Sequence, residues 1–189
     1  MITLNTDRLI IRDHEENDLI PMHELLSNPD DMYFLPDIKS NNLEDSSRNL
    51  KISIIESGLG IERKKYFFGM FTKAGEYVGE IGYTVQSHNS YCEKNVGLGY
   101  FIKSEYWKQG YTSEAAKCVV EFAFEHDNVI KIETGCLSDN IGSEKVMIKC
   151  GFKKESYKPL HQYLYGKWRD RVEYGLIRDE YCNNKKACT

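Results

Sequence analysis

An α/β fold on a partly parallel central sheet, with helices on both faces, is what the order of segments in this chain predicts. The pattern runs strand, two helices, three strands, helix, strand, helix and a final strand pair. A strand therefore leads into a helix twice in succession. The length of 189 residues, 41% hydrophobic and 29% charged, fits one ordinary globular domain. A chain of this size buries about 70% of its unfolded surface and needs no disulfide or metal to hold a core.

Leu9 to Arg12 reads as a short strand, and a helix follows over Asn17 to Ser27 with Leu19, Met22, Leu25 and Leu26 along it. Pro29 to Pro36 is bounded by prolines and reads as a loop. A second helix, Leu43 to Ser57, sets Leu43, Leu50 and Ile54 on one face, and Gly58 and Gly60 end it. Tyr66 to Phe71 and Tyr77 to Val85 are aromatic and β-branched runs joined by the turn Lys73 to Glu76, which makes a hairpin. Asn95 to Ile102 is the next strand. In Thr112 to Glu125 the residues Ala116, Val119, Val120 and Ala123 keep helical spacing. Ile130 to Cys136 is a short buried strand, and Asn140 to Cys150 a helix closed by Gly151. Tyr157 to Arg178 holds two strands around Gly166. The polar residues 182–189 read as a frayed tail.

Charge and composition exclude several function classes. A net charge of -4 argues against nucleic acid as a ligand, because duplex binders carry a basic excess or stripe. No apolar run reaches the ~18 residues of a membrane helix, and no basic segment followed by an apolar one marks a signal peptide. None of the six cysteines is spaced as CxxC, so reduced thiols and a cytoplasmic setting are expected. The five histidines show no HExxH spacing, and no metal is implied. Gly97-Leu98-Gly99 starts a dinucleotide fingerprint, but Ile102 stands where the third glycine belongs.

The junction Tyr106-Trp107-Lys108-Gln109-Gly110-Tyr111-Thr112-Ser113-Glu114-Ala115 lies between a strand and a helix. Backbone N–H groups at such a helix start suit a diphosphate, although a plain turn capped by Thr112 or Ser113 fits the same residues. A second segment, Asn140-Ile141-Gly142-Ser143, opens the next helix. Taken with Gly99-Tyr100-Phe101-Ile102, Lys149-Cys150-Gly151-Phe152 and the opening Thr6-Asp7-Arg8-Leu9-Ile10-Ile11-Arg12, these segments resemble the GNAT acetyltransferases. The resemblance is narrowest to the Rim-type branch that acetylates ribosomal-protein N-termini.

That resemblance implies a single-domain GNAT fold over residues 1–181, in which acetyl-CoA lies between two splayed parallel strands, here Asn95 to Ile102 and Ile130 to Cys136. Main-chain groups of Phe101 and Ile102 are expected to pair with the pantetheine arm. The backbone of Gln109, Gly110, Tyr111, Thr112 and Ser113 is expected to hold the diphosphate, with Lys108 at a position often Gly in relatives and Thr112 at one often Gly or Ala. Asn140 is implied as a pantetheine partner, and Ser143 as the group that protonates the departing thiolate. The acceptor is then a primary amine, from a protein N-terminus or a small molecule. A homodimer is compatible with the family, and neither membrane nor direct nucleic-acid binding is expected.

The base is the position where the chain departs from the pattern, since Gly97 stands where relatives often carry glutamate. Glu80 and Glu93 are the available carboxylates, and Glu80 is favoured. Strand alternation sets it on one face with Val78 and Gly82, with an exposed edge as the plain alternative. Asp30, Asp31 and Asp37 beside Tyr33 and Phe34 are read as an attraction for a cationic amine, opposite a wall of Tyr163, Tyr165 and Trp168. A non-catalytic acetyl-CoA-binding module is the competing reading, motivated by Gly97.

Overall fold

A computed structural model describes residues 1–187. Its eight strands are β1 (Thr3–Asn5), β2 (Leu9–Asp13), β3 (Lys65–Thr72), β4 (Tyr77–His88), β5 (Lys94–Ile102), β6 (Val129–Leu137), β7 (Lys153–Leu164) and β8 (Lys167–Ile177). They follow the order β1-β2-β3-β4-β5-β6-β8-β7. The helices are α1 (Leu19–Ser27), α2 (Leu43–Ser57), α3 (Tyr111–His126), α4 (Ile141–Lys149) and α5 (Arg178–Ala187). Two compact units divide the chain: Met1–Thr84 with Gly99–Val119, and Val85–Leu98 with the residues from Val120 onward. No helix of the described residues is long and apolar enough to cross a membrane.

In the first unit β1, β2, β3 and β4 pair antiparallel in sequence order. β1 is too short for its alternation to show in the sequence, and it exists by folding back on β2 with Thr3 opposite Arg12. α1 and α2 close one core made by Met22, Leu25, Leu26, Met32, Leu50, Phe71 and Tyr77, with Phe101 packed against it. α2 has the expected bounds, and Leu50 and Ile54 of the expected face meet the core, but Leu43 does not. Its buried residues are Ser46, Leu50 and Ser53, while Leu43 stays half exposed in the first turn. Hydropathy cannot mark such a stripe, because its serines are buried with partners: Ser46 meets His23 Nδ1 at 2.9 Å, and Ser53 donates to the Asn49 carbonyl. The predicted start of α1 is instead a separate 3-10 turn, Glu16–Asp18, in which Asp18 folds back to accept from the Glu15 N–H at 2.8 Å.

In the second unit β5 pairs with β6 in parallel, from Lys94 opposite Val129 to Gly97 opposite Glu133. The second strand-helix-strand passage gives no parallel neighbour. β8 inserts between β6 and β7 and runs antiparallel to both. Hairpin pairing across Gly166 is the reason, since it delivers β8 directly onto its predecessor. The frayed tail also needs correction over 182–187, which continue α5. Tyr181 packs on Phe124 with ring centroids 5.2 Å apart, and Lys185 reaches Glu121 at 2.5 Å and Glu125 at 2.7 Å. Those contacts are long-range and invisible in a polar composition. Residues 188–189 of that expected tail lie outside the described residues.

Leu25, fully buried in the first unit's core, sets the scale for packing. Leu25→Ala is expected to destabilise the fold by about 2 to 5 kcal/mol, because the cavity adds to the lost transfer energy. Urea unfolding followed by circular dichroism measures it.

Candidate active site

The turn that joins β5 to α3 carries the first group of candidate residues. Lys108 (φ +60°) and Gly110 (φ +84°) both lie in the left-handed region, with Gln109 between them. A lysine there is strained where glycine is not, which explains why this position suits glycine. The first backbone bond closing α3 runs from Glu114 N–H to the Gly110 carbonyl at 3.0 Å. Amides of a helix's opening turn have no acceptor within the helix, and turns with alternating backbone hand gather N–H groups into anion-binding concavities. Gln109 also ties itself to the preceding turn, its Nε2 donating to the Glu105 carbonyl at 2.7 Å.

β4 and β5 come unusually close where Phe101 and Ile102 lie. A Cβ on Gly79 would stand 2.4 Å from the Phe101 carbonyl oxygen and 2.6 Å from the Ile102 Cα, so only glycine fits. Lys103 N–H donates to the Val78 carbonyl at 3.0 Å, and the Trp107 indole donates to the Ile102 carbonyl at 3.0 Å. Trp107 was not singled out from the sequence, and its ring spacing gave no sign of this bond.

Glu80 is not on an exposed edge. It is 6% exposed, and one carboxylate oxygen lies 2.9 Å from His14 Nε2 while the other accepts from the Tyr77 hydroxyl. His14 Nδ1 in turn faces Asp18 at 3.4 Å, an ion pair without hydrogen-bond geometry. Burial alone would lower the His14 pKa, but the charge and bond of Glu80, with Asp18 facing the other ring nitrogen, push it up to about 10. Burial would raise Asp18; the bonds from His14, Arg12 and the Glu15 N–H hold it well below the usual carboxylate range instead. Burial and then Glu80 raise Tyr77, so its phenol keeps its proton. Asp13, also buried, pairs with Arg63 at 2.7 Å. Sequence spacing could not pair His14 with Glu80, which lie 66 positions apart.

The second unit holds the remaining candidates. Asn140 is the N-cap of α4, its Oδ1 accepting the Ser143 N–H at 3.1 Å, which leaves the amide NH2 to point elsewhere. The Ser143 side chain bonds to Cys136; burial raises that thiol's pKa and the Ser143 bond opposes the shift. Glu144, in the same first turn, accepts from the Tyr174 hydroxyl at 2.7 Å. At Gly97 a Cβ would meet Gln86 Nε2 at 2.7 Å, so the amide of Gln86 fills the space that a larger side chain would take. Glu93 lies 3.4 Å from Arg178 and accepts from Asn89 at 2.8 Å.

Both groups expected to frame the acceptor are present but differ in availability. Asp30 and Asp37 are exposed, whereas Asp31 accepts the Ser104 N–H at 2.7 Å and is committed to that turn. Tyr163 and Trp168 stand opposite each other across the β7–β8 hairpin, with ring centroids 5.6 Å apart, and both remain more than half exposed. Tyr165 is exposed at the hairpin's turn. These aromatics therefore do not belong to a core.

The sequence profile described as "Acetyltransferase (GNAT) domain" matches residues 8–153. The chain belongs to the GNAT acetyltransferase family. It is an acetyl-CoA-dependent N-acetyltransferase with the single-domain α/β fold of that family. Among curated relatives, "Uncharacterized N-acetyltransferase YnaD" of Bacillus subtilis is 25% identical over 178 residues, covering 94% of this chain and 98% of that protein. A spermidine N-acetyltransferase from Vibrio cholerae, solved with CoA and spermine, superposes with a TM-score of 0.80 at 17% identity, over 94% of this chain and all of that one. The ribosomal α-N-protein acetyltransferase RimL, solved with CoA, gives 0.80 at 17% identity, over 95% and 99%. Rim-type enzymes are thus among the neighbours in fold, in agreement with the branch that the motifs resemble.

The residues present fit the GNAT cosubstrate. The left-handed turn before α3 offers amide donors to a diphosphate, and the parallel ladder of β5 with β6 ends at Gly97 although β5 runs on to Ile102. Glu114, in the first turn of α3, is compensated by Arg8 at 2.7 Å.

The His14 cluster carries a pH dependence whose sign follows from its shifts. His14 contributes fully below its ordinary value of 6.5, and the contribution is lost as pH rises through about 10. Asp18 contributes above 3.8, and that part is lost as pH falls below it. His14→Gln is expected to cost about 3 to 5 kcal/mol at pH 7, the range for breaking a buried pair. Urea midpoints of wild type and variant are expected to converge as pH passes 10.

Proposed function

We propose that this GNAT enzyme transfers the acetyl group to a primary amine by direct attack in a ternary complex, without an acyl-enzyme. The observation that supports it best is the left-handed turn at Lys108 and Gly110 opening into α3. In this reading the backbone of Gln109, Gly110, Tyr111, Thr112 and Ser113 holds the diphosphate, and Phe101 and Ile102 pair with the pantetheine arm. The Asn140 amide serves that arm as well. Acetyl-CoA supplies the thioester; the chain's own groups orient it and move protons. Ser143 gives a proton to the departing sulfur. Glu80 is the proposed base, since an amine with a pKa of about 8 to 10 is mostly protonated at neutral pH. Both carboxylate oxygens of Glu80 are engaged, one by the Tyr77 hydroxyl and one by His14, so acting as the base requires one of these bonds to open.

For the acceptor, exposed Asp30 and Asp37 in the first unit favour a cation, and in the second unit the exposed Tyr163–Trp168 pair is an aromatic surface of a kind that also suits one. The spermidine enzyme and RimL among the neighbours act on amines of two sizes. We infer the same class here, a protein or peptide N-terminus or a small polyamine. A cytoplasmic setting is part of the proposal. The second reading, a non-catalytic acetyl-CoA sensor, draws on Gln86 occupying the space beside Gly97 where a glutamate base would stand.

Thermal unfolding with acetyl-CoA tests the binding assignment. At about 100 times Kd, binding adds roughly 2.7 kcal/mol, and each kcal/mol moves Tm by about 2 to 4 °C in a domain of this size. A rise of about 5 to 10 °C is expected with acetyl-CoA and none with ATP or NAD; no rise overturns the assignment. Turnover on a panel of peptide N-termini and polyamines then separates enzyme from sensor. Glu80→Gln and Ser143→Ala are each expected to lower kcat by about 100-fold, with KM for acetyl-CoA little changed. Full activity in Glu80→Gln rules it out as the base.

A further inference from the structure

We propose that Arg8, held by Glu114 and Thr6, is a positioning residue that aims the Gly110 N–H at the diphosphate. The inference rests on the reading of this turn as the acetyl-CoA site. Lys108 and Gly110 are both left-handed, and the peptide between Gln109 and Gly110 lies outside the regular helices and strands. The grip comes instead from the start of the chain. Arg8 donates from one terminal nitrogen to the Gln109 carbonyl at 3.0 Å. In a trans peptide the carbonyl and the next N–H point in opposite directions. Drawing the Gln109 carbonyl toward Arg8 therefore turns the Gly110 N–H away from it, outward from the turn.

Arg8 is itself fixed on three sides. Its Nε donates to Glu114 Oε2 at 2.7 Å, and its backbone N–H to Glu114 Oε1 at 2.9 Å. The guanidinium lies 4.3 Å over the Tyr111 ring. Thr6 completes the clamp, donating from its hydroxyl to Glu114 Oε1 at 2.5 Å and accepting the Leu9 N–H at 2.9 Å. The same clamp matters electrostatically. Glu114 sits in the first turn of α3, where its charge would repel a bound diphosphate; Arg8 compensates it. Burial would raise the Glu114 pKa, but the bonds from Thr6 and Arg8 lower it, so the carboxylate stays charged and keeps gripping. The other terminal nitrogen of Arg8 would stand 3.4 Å from a Cβ at Gly110, an ordinary contact, so it is the φ of +84° that favours glycine there.

The test measures CoA affinity by calorimetry, together with the Tm of the free protein, KM for the amine and kcat at saturating acetyl-CoA. Arg8→Ala is expected to weaken CoA by about 10- to 100-fold, the scale of misplaced binding groups, with amine KM and saturated kcat within about twofold. Arg8→Lys is expected to recover only part, since a single ammonium cannot hold both Glu114 and the Gln109 carbonyl as the planar fork does. Unchanged CoA affinity in Arg8→Ala overturns the proposal. So does a parallel loss of Tm, amine KM and CoA affinity, which marks a merely structural role. If wild type itself does not bind CoA, the reading of the turn fails first, and that outcome is distinct from the other two.

Discussion

Charges buried in the first unit can exist only as pairs, and that requirement organises the elements around them. Asp13, His14, Asp18, Arg63 and Glu80 are each less than 9% exposed. Isolated, any one of them would be expensive to remove from water. Arg63 meets Asp13, Arg12 meets Asp18 at 2.8 Å, and His14 lies between Asp18 and Glu80. Each pair joins different segments: the end of β2, the 3-10 turn before α1, the lead into β3, and the middle of β4. The consequence reaches the core, because Tyr77, which donates to Glu80, also packs with Leu25 and Phe71. A proton gained or lost in this cluster is therefore a change in how strand and helix layers are held.

Backbone geometry, not side-chain chemistry, sets up the proposed diphosphate turn. Amide donors need direction, and direction in this turn depends on two left-handed residues and on a carbonyl held from outside. Lysine in place of glycine at position 108 makes the conformation dearer, so an external clamp has more to do here than it would in a glycine-rich turn. Gly79 plays a complementary part on β4. With no Cβ it lets β5 approach to a distance that any other residue would forbid.

Helix α4 shows how one side chain can serve two ends. Asn140 accepts from the Ser143 amide and so fixes the start of the helix, and the same asparagine retains donors for a ligand. Ser143 in turn reaches Cys136. The proposed functional reading of these residues is thus compatible with the structural one. The cap is what gives the donor a fixed position.

Much of this protein was legible in its sequence. The bounds of α2 and α3, the β3–β4 hairpin, the close of α4 at Gly151 and the turn between β5 and α3 follow from periodicity, turn residues and cap preferences, all set by near neighbours. The family followed from the order of short motifs along most of the chain. What tertiary structure alone decided are the pairings between distant positions: His14 with Glu80, Arg8 with the turn before α3, Gln86 over Gly97, β8 between β6 and β7, and α5 on Phe124 and Glu121. Glu80 is legible as a carboxylate on β4, yet its burial is not, because alternation gives a face and not what covers it. Local pattern fixes which elements form; only the packed chain brings together charges and carbonyls whose separation in sequence leaves no periodic trace.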